Sequence, residues 1–366
     1  MNILYLSKHT SHNKDTGPFW SIPCQVAAQS RYDNVLWFNM RHGVPNEWKN
    51  KVKNFVSLDG CPGKRLDALP KPFNAPDLVV FESVYSFPLT SIVFDVWKKR
   101  IPYIIIPRVE LTQGAQRRKA WKKIPMNFLF FYWFTRKAIA IQYLTENEYL
   151  SSGDIWNKTH IIIPNGVNPP RTVKTRFNKD CLNGVFIGRL STFHKGLDLL
   201  IDACDHLQSE FRENHCSITF YGPDRENCKK DLVAEVEKKQ IGDFLKFADG
   251  SVFGQEKEKI LLNSDFFVLS SRMEGHPTGV LDALSHGVPC LVTEGSNMGK
   301  EIIQYDAGWS SETTVNGIIS SFRRLFAERN NLYVKGRNAI ELSKLYDWDA
   351  LARKSSQIYR NLLKKE

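Results

Sequence analysis

Short apolar runs alternate with longer mixed segments along the first half of the chain. Several runs are apolar at successive positions, a pattern typical of strands that a parallel sheet buries on both faces. The predicted strands are NILYLS (2–7), NVLWFN (34–39), DLVVFES (77–83), PYIIIP (102–107), AIAIQYL (138–144) and the start of HIIIPNGVNPP (160–170). Since segments of helical length separate them, the pattern predicts a parallel sheet covered by helices.

The second half repeats this pattern, with helical segments predicted at 195–210 and 225–240. Its predicted strands are NGVFIG (183–188), CSITFYG (216–222), FLKFADG (244–250), DFFVLSS (265–271) and PCLVT (289–293). The Pro/Asn/Gly-rich end of 160–170 is the expected linker. We therefore predict an α/β protein with two Rossmann-like domains, 1–165 and 171–345, whose parallel sheets face a deep interdomain cleft. The amphipathic tail, 346–366, is predicted to be a helix that packs back on the first domain.

Composition narrows the class of protein. The chain has 366 residues, of which 42% are hydrophobic and 24% are charged, as in globular proteins. Its seven cysteines include no CxxC pair, which argues against a disulfide framework and a zinc ribbon. The start is too short and too polar for a signal peptide, and no apolar run approaches the roughly 20 residues of a membrane span. We expect a cytoplasmic protein without a transmembrane anchor.

The positive charge is concentrated in the first half. Residues 1–170 carry 22 Lys/Arg and 12 Asp/Glu, whereas residues 171–366 carry 28 and 27. The basic, aromatic-rich segment GAQRRKAWKKIPMNFLFFYWFTRK (114–137) either contacts an anionic membrane surface or is a buried helix with a solvated basic start. The charge favours peripheral membrane association at the inner face of the plasma membrane. Nucleic acid is not expected as a partner, because no recognition motif accompanies the charge.

The stretch SSRMEGHPTGVLDALSHGVPCLVT (270–293) places two carboxylates around a predicted helix start. Thr278 is the expected N-cap, or Pro277 the first helical residue. Free backbone N–H groups at such a start form an anion site, with Glu274 outside it and Asp282 about one turn into the helix. A nucleoside diphosphate sugar, with hydroxyls on both sides of its phosphates, fits this arrangement. The alternative is a solvent-exposed Glu and an Asp favoured by the helix dipole.

A second stretch, VFIGRLSTFHKGLDLLIDAC (185–204), carries two cations on a loop between a strand and a helix. Gly188 at the strand end lets a ligand approach the backbone closely. Arg189 and Lys195 are predicted to hold two phosphates, as a planar fork and a point charge. The alternative is an ordinary surface loop with two cations.

Together the two stretches resemble the retaining nucleotide-sugar glycosyltransferases of family 4, which have the GT-B fold. The matching segments are GRLSTFHKGLDLLIDA (188–203), EGHPTGVLDALSHGVPC (274–290), IIIPNGVN (161–168), YLTENEYL (143–150) and WDALARKSSQIYRNLL (348–363). The resemblance is dense over 143–300 and thin over 1–140.

The resemblance implies a role for each matching residue. Glu274 is the first Glu of the family's E-x7-E motif and contacts donor sugar hydroxyls, and Asp282 stands where the second Glu binds the ribose diol. Arg189 and Lys195 hold the diphosphate and, with Glu274, form the expected catalytic set. The implied donor-binding residues are Gly17, Gly188, Gly222, Pro223, Val252, Phe253, Gly275, His276, Pro277, Thr278 and Asp282. Among them, the loop after Gly222-Pro223 and the segment 251–253 would border the base.

Three positions depart from the family pattern. Asp282 is one methylene shorter than the usual Glu, so ribose contact requires a closer approach. Asn168 replaces the usual Asp of the linker. No Gly-Gly pair follows the first strand, and Gly17-Pro18 is the nearest equivalent.

The implied mechanism is front-face substitution, in which the departing phosphate oxygen takes the proton of the acceptor. Arg189, Lys195 and the helix N-terminus would stabilise the leaving group without a metal, so we expect no cofactor. The nine histidines show no metal-binding spacing, and DWD (347–349) is interpreted as a helix start. Glu82, Arg108 and Glu110, in loops after first-domain strands, are acceptor-side candidates; otherwise they are polar loop residues.

The predicted function is that of a retaining hexosyltransferase. It moves a sugar from a nucleotide donor, with UDP favoured, to a hydroxyl of a glycan or lipid-linked acceptor in bacterial surface polysaccharide synthesis (O-antigen, capsule or lipopolysaccharide). One alternative is another GT-B enzyme, such as a UDP-sugar epimerase or a disaccharide synthase. A different alternative is a non-catalytic two-domain binding protein.

Overall fold

The computed structural model describes residues 1–10, 16–43, 45–49, 51–178 and 180–364. The chain divides into two compact units. The first unit comprises Met1–Gly166 and Trp348–Glu366, and the second comprises Val167–Asp347.

In the described part of the first unit, seven strands form a parallel sheet with the order β3-β2-β1-β4-β5-β6-β7. The strands are β1 (Asn2–Ser7), β2 (Asn34–Asn39), β3 (Phe55–Ser57), β4 (Leu78–Glu82), β5 (Tyr103–Ile106), β6 (Ala140–Tyr143) and β7 (His160–Ile162). Successive side chains point to opposite faces, so that Leu4 and Leu6 pack in one core and Ile3 and Tyr5 in the other. The predicted parallel sheet is confirmed, although β3 was missed.

Helices cover both faces of the first sheet. They are α1 (Gly17–Gln29), α2 (Asn46–Lys49), α3 (Ser91–Lys98), α4 (Gln113–Arg117), α5 (Ala120–Met126), α6 (Tyr132–Arg136) and α7 (Glu146–Ser152), with a π-helical turn (Asn127–Phe131) between α5 and α6. In the described chain, none of the helices is long and apolar enough to cross a membrane.

The C-terminal helix, α16 (Trp348–Leu363), belongs to the first unit. Tyr359 on this helix donates a hydrogen bond to Gln142 Oε1 of β6 (2.5 Å). A Cβ on Gly166 would lie 2.4 Å from the Trp348 ring, so the chain before the second unit passes directly over this ring. Asp349 accepts hydrogen bonds from Arg31 and Tyr32. Residues 365 and 366 of the predicted tail lie outside the described residues.

In the described part of the second unit, six parallel strands have the order β10-β9-β8-β11-β12-β13. They are β8 (Leu182–Ile187), β9 (Cys216–Tyr221), β10 (Leu245–Phe247), β11 (Phe266–Leu269), β12 (Cys290–Thr293) and β13 (Gly308–Ser311). The helices are α8 (Leu197–His206), α9 (Gln208–Glu213), α10 (Lys229–Lys238), α11 (Gly254–Asn263), α12 (Thr278–Ser285), α13 (Gly299–Gln304), α14 (Val315–Ala327) and α15 (Leu332–Ser343). The predicted helix 195–210 is divided at Leu207, and β13 was not predicted.

Both sheets reverse their strand order at one place, between β1 and β4 in the first sheet and between β8 and β11 in the second. In open α/β sheets, ligands bind outside the carboxyl ends of the strands at such a switch point. The switch of the second sheet therefore brings together the loop after β8 and the loop after β11, which carry the two stretches singled out in the sequence.

Candidate active site

The loops after β8 and β11 meet through an ion pair. Lys195 Nζ lies 2.5 Å from Glu274 Oε1, and Ser271 Oγ donates a hydrogen bond of 2.7 Å to the same oxygen. The Lys195 and Glu274 side chains are 17% and 15% exposed, so both remain within reach of solvent. The structure therefore places two residues of the expected catalytic set in direct contact, 79 positions apart in the chain.

A close backbone contact fixes the position of Lys195. Gly196 has a left-handed φ of +61°, and a Cβ on it would lie 2.1 Å from the carbonyl oxygen of Ser270. Ser270 Oγ in turn donates to the carbonyl oxygens of Lys195 (2.9 Å) and Gly196 (3.0 Å). Only glycine permits this approach, so the Lys-Gly pair is required for Lys195 to reach Glu274.

The loop that carries Glu274 is held by residues that sequence reasoning missed. Arg272 forms two hydrogen bonds of 2.7 Å with Asp198 on α8, and its guanidinium stacks on the Phe193 ring. Asn297 donates to the carbonyl oxygen of Glu274 (2.5 Å), and the Glu274 N–H donates to the Gly295 carbonyl oxygen. No motif in the sequence indicates these contacts, because they join segments that are distant along the chain.

Helix α12 begins directly after this loop. Pro277 is its N-cap and Thr278 its first helical residue, the reverse of the two predicted assignments. A Cβ on Gly279 would lie 3.1 Å from the Ile187 carbonyl oxygen, so the first turn rests on the carboxyl end of β8. The free N–H groups of that turn therefore lie at the switch point. Gly275 and His276 precede the helix, and the buried His276 ring lies 5.0 Å from the Tyr346 ring.

Asp282 lies on α12 and pairs with Lys257 on α11. Both side chains are partly exposed, at 30% and 23%. Sequence reasoning missed Lys257, although it follows closely on the segment expected to border the base. In that segment Val252 is buried, and Phe253 is the N-cap residue of α11. The carboxylate expected at the ribose thus contacts the helix that begins at the predicted base-binding segment.

The loops after β8 and β9 are also in contact. A Cβ on Gly222 would lie only 1.7 Å from the Gly188 carbonyl oxygen, and the Leu190 N–H donates to the Pro223 carbonyl oxygen (3.0 Å). Arg189 is 37% exposed and lies 3.5 Å from Glu226. The structure therefore groups these four predicted residues, Gly188, Arg189, Gly222 and Pro223, at the edge of the second sheet. Gly17 is the first residue of α1, in the first unit.

The acceptor-side candidates lie at the carboxyl edge of the first sheet, where they bind other parts of the same unit. Arg108 Nε donates to Glu82 Oε2 (2.7 Å), and the side chains are 8% and 0% exposed. The Arg108 guanidinium also donates to the side-chain oxygens of Ser21, Gln25 and Asn165. Within the described chain, Glu82 Oε1 is buried without a hydrogen-bond partner.

Glu110 holds the loop after β4. It accepts hydrogen bonds from Ser83 Oγ and from the backbone N–H groups of Val84 and Tyr85. Burial raises the pKa of Glu110. Ser83 itself has a left-handed φ of +96°, a conformation that costs free energy in a non-glycine residue. The hydrogen bonds to Glu110 stabilise this strained turn.

A second buried carboxylate, Glu148, holds the loop after β5. Its oxygens accept from the N–H groups of Val109 (2.5 Å) and Leu144 (2.7 Å), and burial raises its pKa. Arg108 and Val109 have φ values of +48° and +65°. Two consecutive left-handed residues place Arg108 over Glu82, and Glu148 stabilises that arrangement.

The described residues contain no cluster of metal-ligating side chains. No three His, Cys, Asp or Glu side chains lie close enough together there to hold a metal ion.

Comparison with known proteins agrees with this architecture. Residues 182–328, most of the second unit, match the family model described as Glycosyl transferases group 1. No curated protein sequence matches the chain.

Solved structures match over the whole chain. Sucrose-phosphate synthase from Thermosynechococcus elongatus is 16% identical, with a TM-score of 0.74 and 100% of both chains covered. HepE from Anabaena, in complex with UDP and glucose, is 14% identical, with a TM-score of 0.73 over 99% of this chain and 100% of that one. The trehalose-6-phosphate structure from E. coli, bound with UDP-2-fluoro glucose, is 13% identical, with a TM-score of 0.71 and 99% of both chains covered. With its two parallel-sheet α/β units, the chain has the fold of the GT-B glycosyltransferases, as the sequence resemblance implied.

Proposed function

We propose that the protein is a retaining glycosyltransferase that moves a hexose from a nucleoside diphosphate sugar to an acceptor hydroxyl. The observation that carries this proposal is the Lys195–Glu274 pair at the switch point of the second sheet, beside the first turn of α12. A cation, a carboxylate and free backbone N–H groups at one sheet edge provide what a sugar diphosphate requires: neutralisation of the phosphates and an acceptor for sugar hydroxyls. HepE with UDP and glucose has the same fold, which supports UDP as the nucleotide.

In this proposal the ion pair changes partners when the donor binds. The diphosphate attracts Lys195, with Arg189 on the neighbouring loop, and Glu274 then accepts hydrogen bonds from the sugar hydroxyls. Asp282 binds the ribose hydroxyls from α12, with Lys257 beside it. Such an exchange leaves no charge without a partner, because the diphosphate becomes the partner of Lys195 and the sugar hydroxyls become the partners of Glu274.

The chemical step that we propose is a front-face substitution. The bond between the anomeric carbon and the phosphate oxygen breaks, and its electron pair leaves with the nucleoside diphosphate. The acceptor oxygen forms its bond to the same face of the anomeric carbon, and its proton passes to the departing phosphate oxygen. Arg189, Lys195 and the start of α12 stabilise the negative charge of the leaving group, so we expect transfer to persist in the presence of a metal chelator.

We further propose a glycan or lipid-linked acceptor of a bacterial surface polysaccharide, which the protein meets as a peripheral protein on the cytoplasmic side of the membrane. The basic character of the first half supports an acceptor that carries phosphate. Glu82, Arg108 and Glu110 belong to this proposal as the residues that shape the acceptor-side loops.

A thermal-shift measurement with UDP, GDP and ADP tests the donor site. A nucleotide at about 100 times its Kd raises the free energy of unfolding by about 2.7 kcal/mol. We expect stabilisation by UDP that Arg189→Ala abolishes and that Arg323→Ala, an exposed arginine paired with Glu210, leaves unchanged. If none of the nucleotides stabilises the protein, the donor site has been misassigned.

A disaccharide synthase is the second candidate, because sucrose-phosphate synthase matches the whole chain in fold. Incubation with a UDP-sugar and either free hexose phosphates or a lipid extract separates the two candidates. Transfer to the lipid extract, with the α or β configuration of the donor retained by nuclear magnetic resonance, supports the first candidate. Transfer to a hexose phosphate alone supports the second.

A further inference from the structure

The basic, aromatic-rich segment of the first unit buries one of its sides in the core. Helix α5, the π-helical turn and α6 follow one another without a break from Ala120 to Arg136. Phe130, Phe131 and Phe134 point from these turns into the core of the unit, where they pack with aromatic residues from α3, β4 and β5. These contacts hold the segment against the core of the first unit.

The opposite side exposes large apolar side chains to solvent. Trp121 is 74% exposed, Phe128 75% and Leu129 70%. Five such residues form what we call the apolar patch: Trp121, Ile124, Phe128, Leu129 and Trp133. Trp121, Ile124 and Phe128 recur at intervals of three and four residues, and Leu129 and Trp133 are four apart, so they form two neighbouring rows along the helical segment. A contiguous exposed apolar surface with polar surroundings marks an interaction site.

Cations precede, interrupt and follow the apolar patch along the chain, and the segment contains no acidic residue. Residues 111–145 contain no Asp or Glu, and their seven cations are Arg117, Arg118, Lys119, Lys122, Lys123, Arg136 and Lys137. Six of these are exposed, whereas Lys123 donates to the Ala115 carbonyl oxygen and lies over the Tyr85 ring. Exposed tryptophan beside Lys and Arg, in a segment without Asp or Glu, is the composition of segments that lie at a bilayer interface.

We propose that the apolar patch and its cations bind the surface of an anionic phospholipid bilayer, with Trp121, Phe128 and Leu129 inserted among the acyl chains. Charge favours a bilayer over a second copy of this chain as the occupant. Two copies would bring two basic surfaces together, whereas anionic headgroups attract such a surface. This interaction deepens the proposed function, since a lipid-linked acceptor lies at such a surface, but it requires no nucleotide.

Sedimentation with vesicles tests the proposal directly. The full chain is mixed with vesicles of phosphatidylcholine and phosphatidylglycerol, and separately with vesicles of phosphatidylcholine alone. We expect binding to the mixed vesicles, a blue shift of tryptophan fluorescence on binding, and release by added salt. Equal binding to both kinds of vesicle would contradict the role of the cations.

Matched variants separate the contribution of the inserted apolar side chains from that of the cations. Trp121→Gln with Phe128→Gln is expected to weaken binding by about a hundredfold, since each buried apolar side chain contributes about tenfold. Arg117→Gln with Lys122→Gln should weaken it by about fivefold per cation and reduce its salt dependence. The control, Tyr333→Gln with Leu345→Gln, removes two half-exposed apolar residues from the second unit and should bind like the unmodified protein.

Two outcomes would overturn the proposal. One is unchanged sedimentation of the Trp121→Gln, Phe128→Gln variant. The other is self-association in analytical ultracentrifugation that this variant abolishes, with no vesicle binding, which would assign the surface to a second copy of the chain. Stabilisation by UDP is measured without vesicles, so failure here is distinguishable from failure of the donor site.

Discussion

The carboxyl edges of the two sheets use charged side chains in opposite ways. In the first sheet the charges are buried and bind the protein itself: Arg108 pairs with Glu82, and Glu110 and Glu148 accept backbone N–H groups of strained loops. In the second sheet Lys195 and Glu274 are partly exposed and are joined by a single short contact at the tip of the Lys195 side chain.

The two edges therefore differ in how readily their charged groups can change partners. A buried pair has lost its hydration, so removal of one partner leaves an uncompensated charge. A partly exposed pair gains little from its own attraction and can exchange partners. The units also differ in charge: the first carries 27 Lys/Arg and 14 Asp/Glu, and the second carries 23 and 25. The charged side chains of the first edge are buried and stabilise its loops, whereas Lys195 and Glu274 at the second edge remain partly accessible to solvent.

Disruption of the buried pair gives the largest expected effect. Arg108→Ala leaves the Glu82 carboxylate buried without its cation, so we expect the free energy of unfolding to fall by about 3–5 kcal/mol. Urea denaturation of the full chain measures this change.

Lys344→Ala is the matched control, because Lys344 and Glu341 form a pair that is 63% and 60% exposed. Its loss should change the free energy of unfolding by less than about 1 kcal/mol. Equal destabilisation by the two substitutions would mean that burial does not distinguish the pairs.

The interior strands of both sheets could be predicted from sequence, whereas two of the four edge strands were missed. β1 and β2 match their predicted bounds, because long apolar runs reflect burial on both faces. The edge strands β3 and β13 were missed. The edge strand β7 lies at the predicted start of 160–170, and the strand predicted at 244–250 is shorter in the structure. Edge strands are short and less apolar, so hydrophobic pattern alone gives a weak signal for them.

The same limit applies to the candidate site. Lys195 and Glu274 could be grouped from the sequence, because both loops follow strands whose carboxyl ends share one edge. Lys257, Arg272 and Asn297 were missed, since their contacts with Asp282, Asp198 and Glu274 depend on packing between distant segments. The burial of Glu82 and Arg108 could not be predicted either, because the left-handed backbone at Arg108 has no sequence signature.

Replacement of the exposed carboxylate in the second sheet should affect transfer and spare the fold. We expect Glu274→Gln to reduce kcat/KM by about a hundredfold or more, since it removes a charged acceptor for the sugar. The free energy of unfolding should change by about 1 kcal/mol or less, because the pair with Lys195 is partly exposed.

Product formation and urea denaturation of the same preparation measure both quantities. Glu256→Gln on the exposed side of α11 is the control, with unchanged kcat/KM expected. Near-normal turnover of Glu274→Gln would mean that the Lys195–Glu274 pair is not part of the donor site.

Substitutions of Asp282 are expected to have the smallest effect. This side chain is one methylene shorter than the Glu of the family that the sequence resembles. Asp282→Asn removes the negative charge that pairs with Lys257 and that is proposed to bind the ribose. We expect the KM for the donor to rise by about tenfold, which corresponds to the loss of one hydrogen bond to a charged group. The kcat should stay within about twofold, because the ribose contact is the same in the ground state and the transition state. Asp282→Glu keeps the negative charge that Asp282→Asn removes. It should therefore bind UDP more tightly than Asp282→Asn, measured as the UDP-induced shift in Tm. If Asn and Glu at this position behave alike, Asp282 holds Lys257 in place and the ribose is bound elsewhere.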